Sequence, residues 1–334
     1  MTFAGKADLV LEGGGVKGIG LVGAVSVLEE AGYSFPRVAG TSAGSIVGAL
    51  IASGASAAEM YQIMKATDFR QFQDRSLFDR MGPIGKSMSM LVDKGIYEGE
   101  FFRSWLAEQL PDVAESFAGL RLPPDPDSSL DDDQRYRLVV MASDVSLGRL
   151  VRLPWHYRTV YGLPPDEQSV IDAVRASMSI PFFFEPTYIE HSRQEHDKDQ
   201  PHRSTLVDGG MLSNFPVEVF DRADGQPPRW PTFGIKLSNR PADHRMPKVP
   251  HGPVTLSMAM LRTMMSWHDG MHIDRADVCD RTIFVDTMGI NAVKFDLSAD
   301  EQEALYESGR TAAVKFLKSW DFDAYVAKHR HSEA

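Results

Sequence analysis

The chain has 334 residues with 43% hydrophobic content, enough to bury a large core, and its formal net charge is −11. So negative a charge argues against broad, sequence-independent binding to nucleic acid, because such binding needs clustered lysine and arginine side chains. A single cysteine, Cys279, excludes an intrachain disulfide and a cysteine-based zinc site, so we expect a reducing, cytoplasmic compartment. We also expect no secretory signal and no membrane-spanning segment, since no apolar run approaches the ~20 residues that cross a bilayer. Any membrane contact is then peripheral.

The first part of the chain alternates strand and helix patterns, as in a parallel sheet. Strands are predicted at Asp8 to Leu11 and Pro36 to Ala39, and helices at Gly18 to Ala31, Ala43 to Ser53 and Ala57 to Ala66. The second of these helices is almost wholly apolar, which predicts a position in the centre of the domain.

The later part of the chain is less regular. We interpret Asp68 to Gly99 as a connecting region and Pro123 to Asp133 as an acidic, proline-rich surface loop. The other predicted elements are a helix at Phe101 to Leu110, strands at Leu138 to Ala142 and Arg149 to Leu153, a helix at Ser169 to Ser177, strands at Thr205 to Val207, Thr232 to Leu237 and Arg281 to Val285, and a final helix that begins at a capping box at Ser298 and ends near Lys318.

A glycine-rich loop links the first strand to the first helix. Gly13, Gly15 and Gly18 fit G-x-G-x-x-G in the context of a dinucleotide-binding loop. A Rossmann unit, however, needs an acidic residue at the end of its second strand, where this chain has Gly40-Thr41-Ser42. A Walker loop is excluded because no Gly-Lys-Ser/Thr follows. The glycines therefore either direct backbone N–H groups at an anion or only form a tight turn.

The second glycine motif, Gly40-Thr41-Ser42-Ala43-Gly44, matches the G-x-S-x-G nucleophile elbow. A glycine on each side is a steric requirement of that turn, and Ser42 is the candidate nucleophile. A serine hydroxyl needs a base. Asp208, at the end of a short predicted strand, is one candidate, either acting directly or with a later histidine such as His268 or His272.

Together these motifs resemble the patatin-like phospholipase family. The Gly13-Gly14-Gly15-Val16-Lys17-Gly18 run looks like its oxyanion loop, Gly40 to Gly44 like its nucleophile elbow, and Asp208-Gly209-Gly210 like its catalytic-aspartate motif. The similarity covers roughly Ala7 to Val217, including the segments at Ala176 to Pro181 and Asn214 to Pro216.

The resemblance implies a three-layer α/β/α fold with a central, mostly parallel sheet. The catalytic core would span residues 6–220, and residues 221–334 would complete the same domain with strands and a helix. Ser42 and Asp208 would form a catalytic dyad without histidine, cofactor or metal. The amides of Gly13, Gly14 and Gly15 would form the oxyanion hole. Residues that would support the three motifs are Lys17, Gly18, Gly40, Gly44, Gly209 and Gly210.

The implied activity is hydrolysis of acyl esters in phospholipids or other lipids. Lys17 and Arg175 would either contact lipid phosphate or lie in solvent, and the methionine-rich runs Met88 to Leu91 and Leu256 to Met265 would form an apolar entrance or part of the core. One alternative is a regulatory or scaffold protein of the same fold that binds lipid or nucleotide at Gly13 to Gly18. A Ser-His-Asp esterase is another. The sequence predicts no oligomeric state.

Overall fold

The computed structural model of the protein describes residues 5–72, 98–181, 183–192, 202–237, 263, 275–292 and 294–329. Its strands are β1 (Asp8–Leu11), β2 (Val38–Thr41), β3 (Leu138–Asp144), β4 (Arg149–Leu153), β5 (Thr187–Glu190), β6 (Arg203–Asp208), β7 (Thr232–Lys236) and β8 (Thr282–Phe284). Its helices are α1 (Gly18–Glu30), α2 (Ala43–Ser53), α3 (Ala57–Ala66), α4 (Glu98–Gln109), α5 (Val170–Ser177), α6 (Ala276–Asp280), α7 (Ala299–Leu317) and α8 (Phe322–His329).

Within the described ranges, eight strands form one sheet. Their hydrogen-bonded pairs follow the path β5-β6-β3-β2-β1-β7-β8, and β4 also pairs with β3, on the edge of β3 opposite to β2 and β6. The pairs β1–β2, β1–β7, β2–β3 and β7–β8 are parallel. Strand β3 is antiparallel to both β4 and β6, and β5 is antiparallel to β6. The predicted α/β class is therefore confirmed: a mixed, mostly parallel sheet is flanked by helices, and it includes strands from early and late parts of the chain.

Helix α1 is buried because it lies between the sheet and two further helices, α3 and α7. Its contact with α7 is close enough that glycine is required on both sides. A Cβ on Gly23 would lie 2.0 Å from the carbonyl oxygen of Tyr306, and one on Gly309 would lie 2.0 Å from that of Gly20. Helix α2 packs on β2 and β3 and is buried over Ala43 to Ala52, which confirms its predicted central position.

Most predicted elements are present with small shifts at their ends. The second strand lies at Val38–Thr41, two residues later than predicted, because pairing with β1 and β3 sets its register. Strand β5 and helices α6 and α8 had no clear sequence pattern and were not predicted. No helix in the described part of the chain combines the length and hydropathy needed to cross a membrane.

Candidate active site

Ser42 lies in the tight turn between β2 and α2. Strand β2 ends at Thr41 and α2 begins at Ala43, so this one residue makes the whole connection. Its backbone angles are φ 51° and ψ −126°, in a region that residues with a Cβ rarely adopt. Such a conformation costs on the order of 1–3 kcal/mol and persists only when surrounding contacts hold it. The turn places Ser42, which is 3% exposed, at the N-terminal end of a buried helix.

Hydrogen bonds on both sides of Ser42 hold this conformation. The N–H of Ser42 donates to Oγ of Ser177 at 2.8 Å. Its carbonyl oxygen accepts from the N–H of Ser45 at 2.8 Å and from the Ser45 hydroxyl at 2.6 Å. Ser45 and Ser177 are fully buried, so these bonds do not compete with water. Sequence reasoning did not identify these two serines as supports of the turn.

The two glycines of the elbow motif have no room for a side chain. A Cβ on Gly40 would lie 2.2 Å from the carbonyl oxygen of Gly44. A Cβ on Gly44 would lie 2.3 Å from the carbonyl oxygen of Leu11. In both cases the obstacle is backbone, which cannot rotate away as a side chain can. Any larger residue must therefore displace the turn or the end of β1.

We expect Gly44→Ala to destabilise the protein by about 3 kcal/mol, because the added methyl group overpacks a site bounded by backbone. Gly48→Ala, in the same helix, is the matched control. Its Cβ would approach only the methyl groups of Leu138 and Val38, each at 3.3 Å, and alanine favours the helix. Urea unfolding of the three proteins measures the difference, and equal midpoints for the two variants would contradict the steric explanation.

Strand β3 brings Asp208 next to Ser42. Residues Ala142 to Asp144 pair with both β4 and β6, whereas Val140 and Met141 pair with both β4 and β2. Because a strand has only two edges, β2 and β6 lie end to end along the same edge of β3. Thr41 is the partner of Met141, and Asp208 is the partner of the next residue, Ala142. The end of β2, followed directly by Ser42, therefore meets the end of β6.

The carboxyl group of Asp208 is buried, with 1% of the residue exposed. One oxygen, Oδ1, accepts from the N–H of Gly210 at 2.7 Å, and the backbone N–H of Asp208 donates to the carbonyl of Ser179 at 2.9 Å. The other oxygen, Oδ2, is buried without a hydrogen-bond partner in the described residues. It is thus available to accept a proton.

Burial raises the pKa of Asp208 from its ordinary 3.8 to about 7, because desolvation disfavours the charged carboxylate. The Ser42 hydroxyl and the Gly210 N–H lower this pKa, since they stabilise the charged form, but burial dominates. In this structure the Ser42 hydroxyl donates to Sδ of Met178 at 3.7 Å. A pKa near neutrality is suited to a group that takes up and releases protons.

The glycine-rich loop lies directly against Ser42. A Cβ on Gly13 would lie 3.0 Å from the Cβ of Ser42. Asn214 holds this glycine on two sides: its side-chain Nδ2 donates to the Gly13 carbonyl at 3.0 Å, and its own carbonyl accepts from the Gly13 N–H at 3.3 Å. Asn214 lies in a segment that is part of the family resemblance, but the sequence assigned it no role. The structure shows that Asn214 holds Gly13 in place.

The predicted oxyanion donors Gly13, Gly14 and Gly15 are not equivalent. The N–H of Gly13 is already used by Asn214, whereas those of Gly14 and Gly15 have no hydrogen-bond acceptor among the described residues. Gly14 and Gly15 therefore have the N–H groups of this loop that remain unused among the described residues, and the oxyanion hole of Gly13, Gly14 and Gly15 stays a prediction. Gly15 itself needs its φ of 55° and the absence of a Cβ, which would lie 2.1 Å from the carbonyl oxygen of Ala292.

A buried ion pair fixes the loop to the sheet. Glu12, immediately before the loop, accepts from Nζ of Lys236 and from the N–H of Leu237, and both charged residues are at most 6% exposed. Lys17, at the other end of the loop, donates from Nζ to the carbonyl of Leu237 at 3.4 Å. The end of β7 therefore supports both ends of the glycine loop.

An apolar pocket opens beside this loop and the start of α2. Its lining residues are Gly15, Val16, Ala43, Ile46, Met64, Phe69, Phe102, Trp105, Arg175, Met178, Ile180, Phe184 and Phe295. Arg175 is the charged residue among the described residues of this lining; it is 8% exposed and donates to Oγ of Ser179 at 2.7 Å. The predicted solvated position for Arg175 is therefore wrong, because the helix that carries it faces the pocket.

Several residues that the sequence suggested for the site or its entrance lie outside the described part of the chain. His268, His272, Met88 to Leu91 and nearly all of Leu256 to Met265 lie outside the described residues. Histidine side chains within the described ranges make no hydrogen bond to Ser42 or Asp208. In the same ranges, no group of three or more histidine, cysteine, aspartate or glutamate residues is arranged to hold a metal ion.

Comparison with known proteins agrees with this geometry. The family described as patatin-like phospholipase matches residues 9–221. YqhO of Bacillus subtilis strain 168, an uncharacterized protein, is 35% identical over 315 residues, which is 94% of this chain and 99% of the relative. Lysophospholipase nte1 of Aspergillus niger is 51% identical over 56 residues, 17% of this chain and 4% of its own length.

A solved structure supports the fold alone. VipD from Legionella pneumophila superposes with a TM-score of 0.51 and 17% sequence identity, covering 95% of this chain and 67% of that chain. The family match covers most of the sheet and the two segments that carry Ser42 and Asp208. The chain therefore belongs to the patatin-like phospholipase family, a family of lipid hydrolases.

Proposed function

We propose that the protein hydrolyses acyl ester bonds of phospholipids or lysophospholipids, with Ser42 as nucleophile and Asp208 as its base. One observation carries this proposal: a serine in a strained strand-to-helix turn lies beside a buried aspartate whose Oδ2 has no partner in the described residues. The Met178 contact leaves the serine oxygen at the edge of the apolar pocket, where an ester carbonyl would enter.

The chemistry follows from this arrangement. The Ser42 side chain turns from Met178 toward Asp208, the carboxylate takes its proton, and Oγ attacks the ester carbonyl. When the ester C–O bond breaks, protonated Asp208 returns this proton to the departing oxygen, so that the alcohol leaves and an acyl-enzyme remains. The N–H groups of Gly14 and Gly15 would stabilise the oxyanion, each well-aimed donor contributing roughly 3 kcal/mol. The N-terminus of α2 favours the same negative charge. Water, activated by Asp208, then releases the fatty acid and restores Ser42.

The lipid substrate class is supported by the pocket and by a relative. Apolar and aromatic side chains, including Met178, which the Ser42 hydroxyl contacts, would surround an acyl chain beside the reacting serine. The fungal relative that shares 56 aligned residues is named a lysophospholipase. We propose that the protein takes such substrates from a bilayer surface through peripheral contact.

Product analysis tests the proposal directly. The protein is incubated in ¹⁸O-labelled water with phosphatidylcholine, lysophosphatidylcholine and triacylglycerol, and products are identified by mass spectrometry. The expected result is free fatty acid carrying one labelled oxygen, absent with the Ser42→Ala protein. Release of unlabelled fatty acid only would reject the proposed route through an acyl-enzyme. Binding of lipid or nucleotide without any product would reject the hydrolase assignment and favour a regulatory protein.

The pH dependence of the reaction should reflect Asp208. Only the ionised carboxylate can accept the serine proton, so kcat/KM is expected to rise with pH through about 7, the raised pKa of Asp208, and then to level off. The measurement uses an uncharged ester, so that the substrate does not ionise over the range. A rate that does not change between roughly pH 5 and 9 would contradict a base with this pKa.

A further inference from the structure

Met178 lies between Ser42 and the apolar pocket. The hydroxyl of Ser42 donates to Sδ of Met178 at 3.7 Å, and Met178 is also part of the pocket lining. Ser42 itself is 3% exposed and does not line the pocket, although Ala43, the next residue, does. The thioether of Met178 therefore separates the serine oxygen from the space through which we expect an ester to arrive.

The contact between Met178 and Ser42 is too close for a substrate to react without moving the methionine. In a near-attack arrangement the carbonyl carbon lies ~3–3.5 Å from the nucleophilic oxygen. A sulfur atom 3.7 Å from Oγ already fills the space on the pocket side of the serine. An ester carbonyl that comes from the pocket must therefore displace the Met178 side chain.

The Ser42 hydroxyl has two acceptors of different strength within reach. The thioether of Met178 is a weak acceptor, to which the hydroxyl donates in this structure. The carboxylate of Asp208 is a strong one, and the hydroxyl lowers the pKa of this group. The contact with Met178 thus competes with the contact that proton transfer requires, and its loss favours Asp208 as the acceptor.

The backbone on both sides of Met178 is held by the segments that carry the two candidate catalytic residues. Oγ of Ser177 accepts from the N–H of Ser42 at 2.8 Å, and the carbonyl of Ser179 accepts from the N–H of Asp208 at 2.9 Å. Displacement of Met178 must therefore come from its side chain. That side chain is unbranched and has three rotatable bonds, so it can move without disturbing either hydrogen bond.

The apolar pocket is nearly closed in this structure. Its volume is about 40 Å³, whereas pockets for drug-sized ligands measure ~300–1,000 Å³. An acyl chain can enter only if lining side chains move. Among the described lining residues, the unbranched apolar side chains are those of Met64 and Met178, and Met178 is the one that accepts from Ser42.

We propose that Met178 is a gate that an acyl chain opens: a chain that enters the apolar pocket displaces the thioether from Ser42 and frees the hydroxyl to turn toward Asp208. This inference rests on the proposed function and narrows its substrate class. Esters with acyl chains long enough to fill the pocket are favoured, because their apolar contacts compensate for those that Met178 loses. A short-chain ester must move Met178 without this compensation.

Hydrolysis of nitrophenyl acetate and nitrophenyl octanoate by the full chain tests the gate. Met178→Ala removes the thioether, so we expect kcat/KM for the acetate to rise about fivefold, the factor that corresponds to one weak hydrogen bond. The octanoate should show no such gain, because its chain already opens the gate in wild type. The matched control is Met64→Ala, which shortens a methionine of the same pocket. We expect it to raise KM for the octanoate and to give no gain with the acetate.

A second variant keeps the test decisive if Met178→Ala disturbs folding. Met178→Leu retains most of the apolar volume but offers the Ser42 hydroxyl no acceptor, and it should also hydrolyse the acetate faster than wild type. Ser42→Ala separates the gate from the proposed function. If Ser42→Ala is inactive while wild type and both Met178 variants hydrolyse the acetate equally fast, the gate is wrong and the hydrolase proposal stands. Hydrolysis that persists in Ser42→Ala would overturn both, because the gate acts on this serine.

Discussion

Replacement of Ser42 with alanine is expected to lower kcat for ester hydrolysis by about 10³-fold or more, because no acyl-enzyme can form without the hydroxyl. The change should not unfold the protein. Alanine loses the weak contact with Met178 and the interaction by which the hydroxyl stabilises the Asp208 carboxylate, while the backbone bonds to Ser177 and Ser45 remain. The strained φ of 51° also remains, since alanine and serine both carry a Cβ.

A serine on the same helix provides the control for this result. Ser53→Ala removes a hydroxyl that bonds only the carbonyl of Leu50, at the far end of α2. Activity and labelling by a fluorophosphonate probe are measured for the three proteins. We expect Ser53→Ala to behave as wild type and Ser42→Ala to lose both signals. Persistent labelling of the folded Ser42→Ala protein would place the nucleophile elsewhere.

Replacement of Asp208 with asparagine is expected to reduce hydrolysis by a similar factor while making the protein more stable at alkaline pH. The loss of activity follows because an amide cannot accept the serine proton. The gain in stability follows because asparagine removes a carboxyl group that burial keeps from ionising easily. Oδ1 of asparagine can still accept from the N–H of Gly210.

The pH range of this stabilisation follows from the two pKa values of Asp208. Its pKa is about 7 in the folded protein and near 3.8 when unfolded, so the folded state binds the proton more tightly. Below pH 3.8 both states are protonated, and wild type and Asp208→Asn should be about equally stable. As pH rises from there to about 7, the free energy of unfolding of wild type falls by up to roughly 4 kcal/mol relative to that of the variant.

Thermal and denaturant unfolding across this pH range measure the effect. The difference in the free energy of unfolding between wild type and Asp208→Asn is expected to grow with rising pH and to be constant above about 7. An aspartate outside the site, Asp224, serves as the comparison. Asp224→Asn removes a surface carboxylate that pairs with Arg222, and the pKa of Asp224 is lowered rather than raised. A gap that narrows with pH would show that Asp208 is not buried in the way described.

Local sequence patterns predicted most elements and all three motifs because the signals lie within a few residues. The apolar run from Ala43 with Gly54 after it, and the capping box at Ser56, specify helices α2 and α3 without reference to the rest of the chain. Gly40 and Gly44 are also predictable from the local sequence, because a one-residue turn between a strand and a helix leaves no space for a side chain at these positions.

Relations between distant segments depended on the tertiary structure. The sequence contains Ser42 and Asp208 but not the end-to-end placement of β2 and β6 on β3 that makes them neighbours. The clamp of Asn214 on Gly13 spans 201 positions and has no local pattern. Strand β5 likewise forms only because β6 is available to pair with it.

The sequence by itself determined the candidate groups of the site: a serine in a glycine-bounded turn, an aspartate at a strand end and amides in a glycine loop. Tertiary structure decided how those groups are tuned. Burial of Asp208 raises its pKa, and the position of Arg175 takes its side chain out of solvent. Desolvation and enclosure depend on which segments cover a group, and only the folded chain brings those segments together.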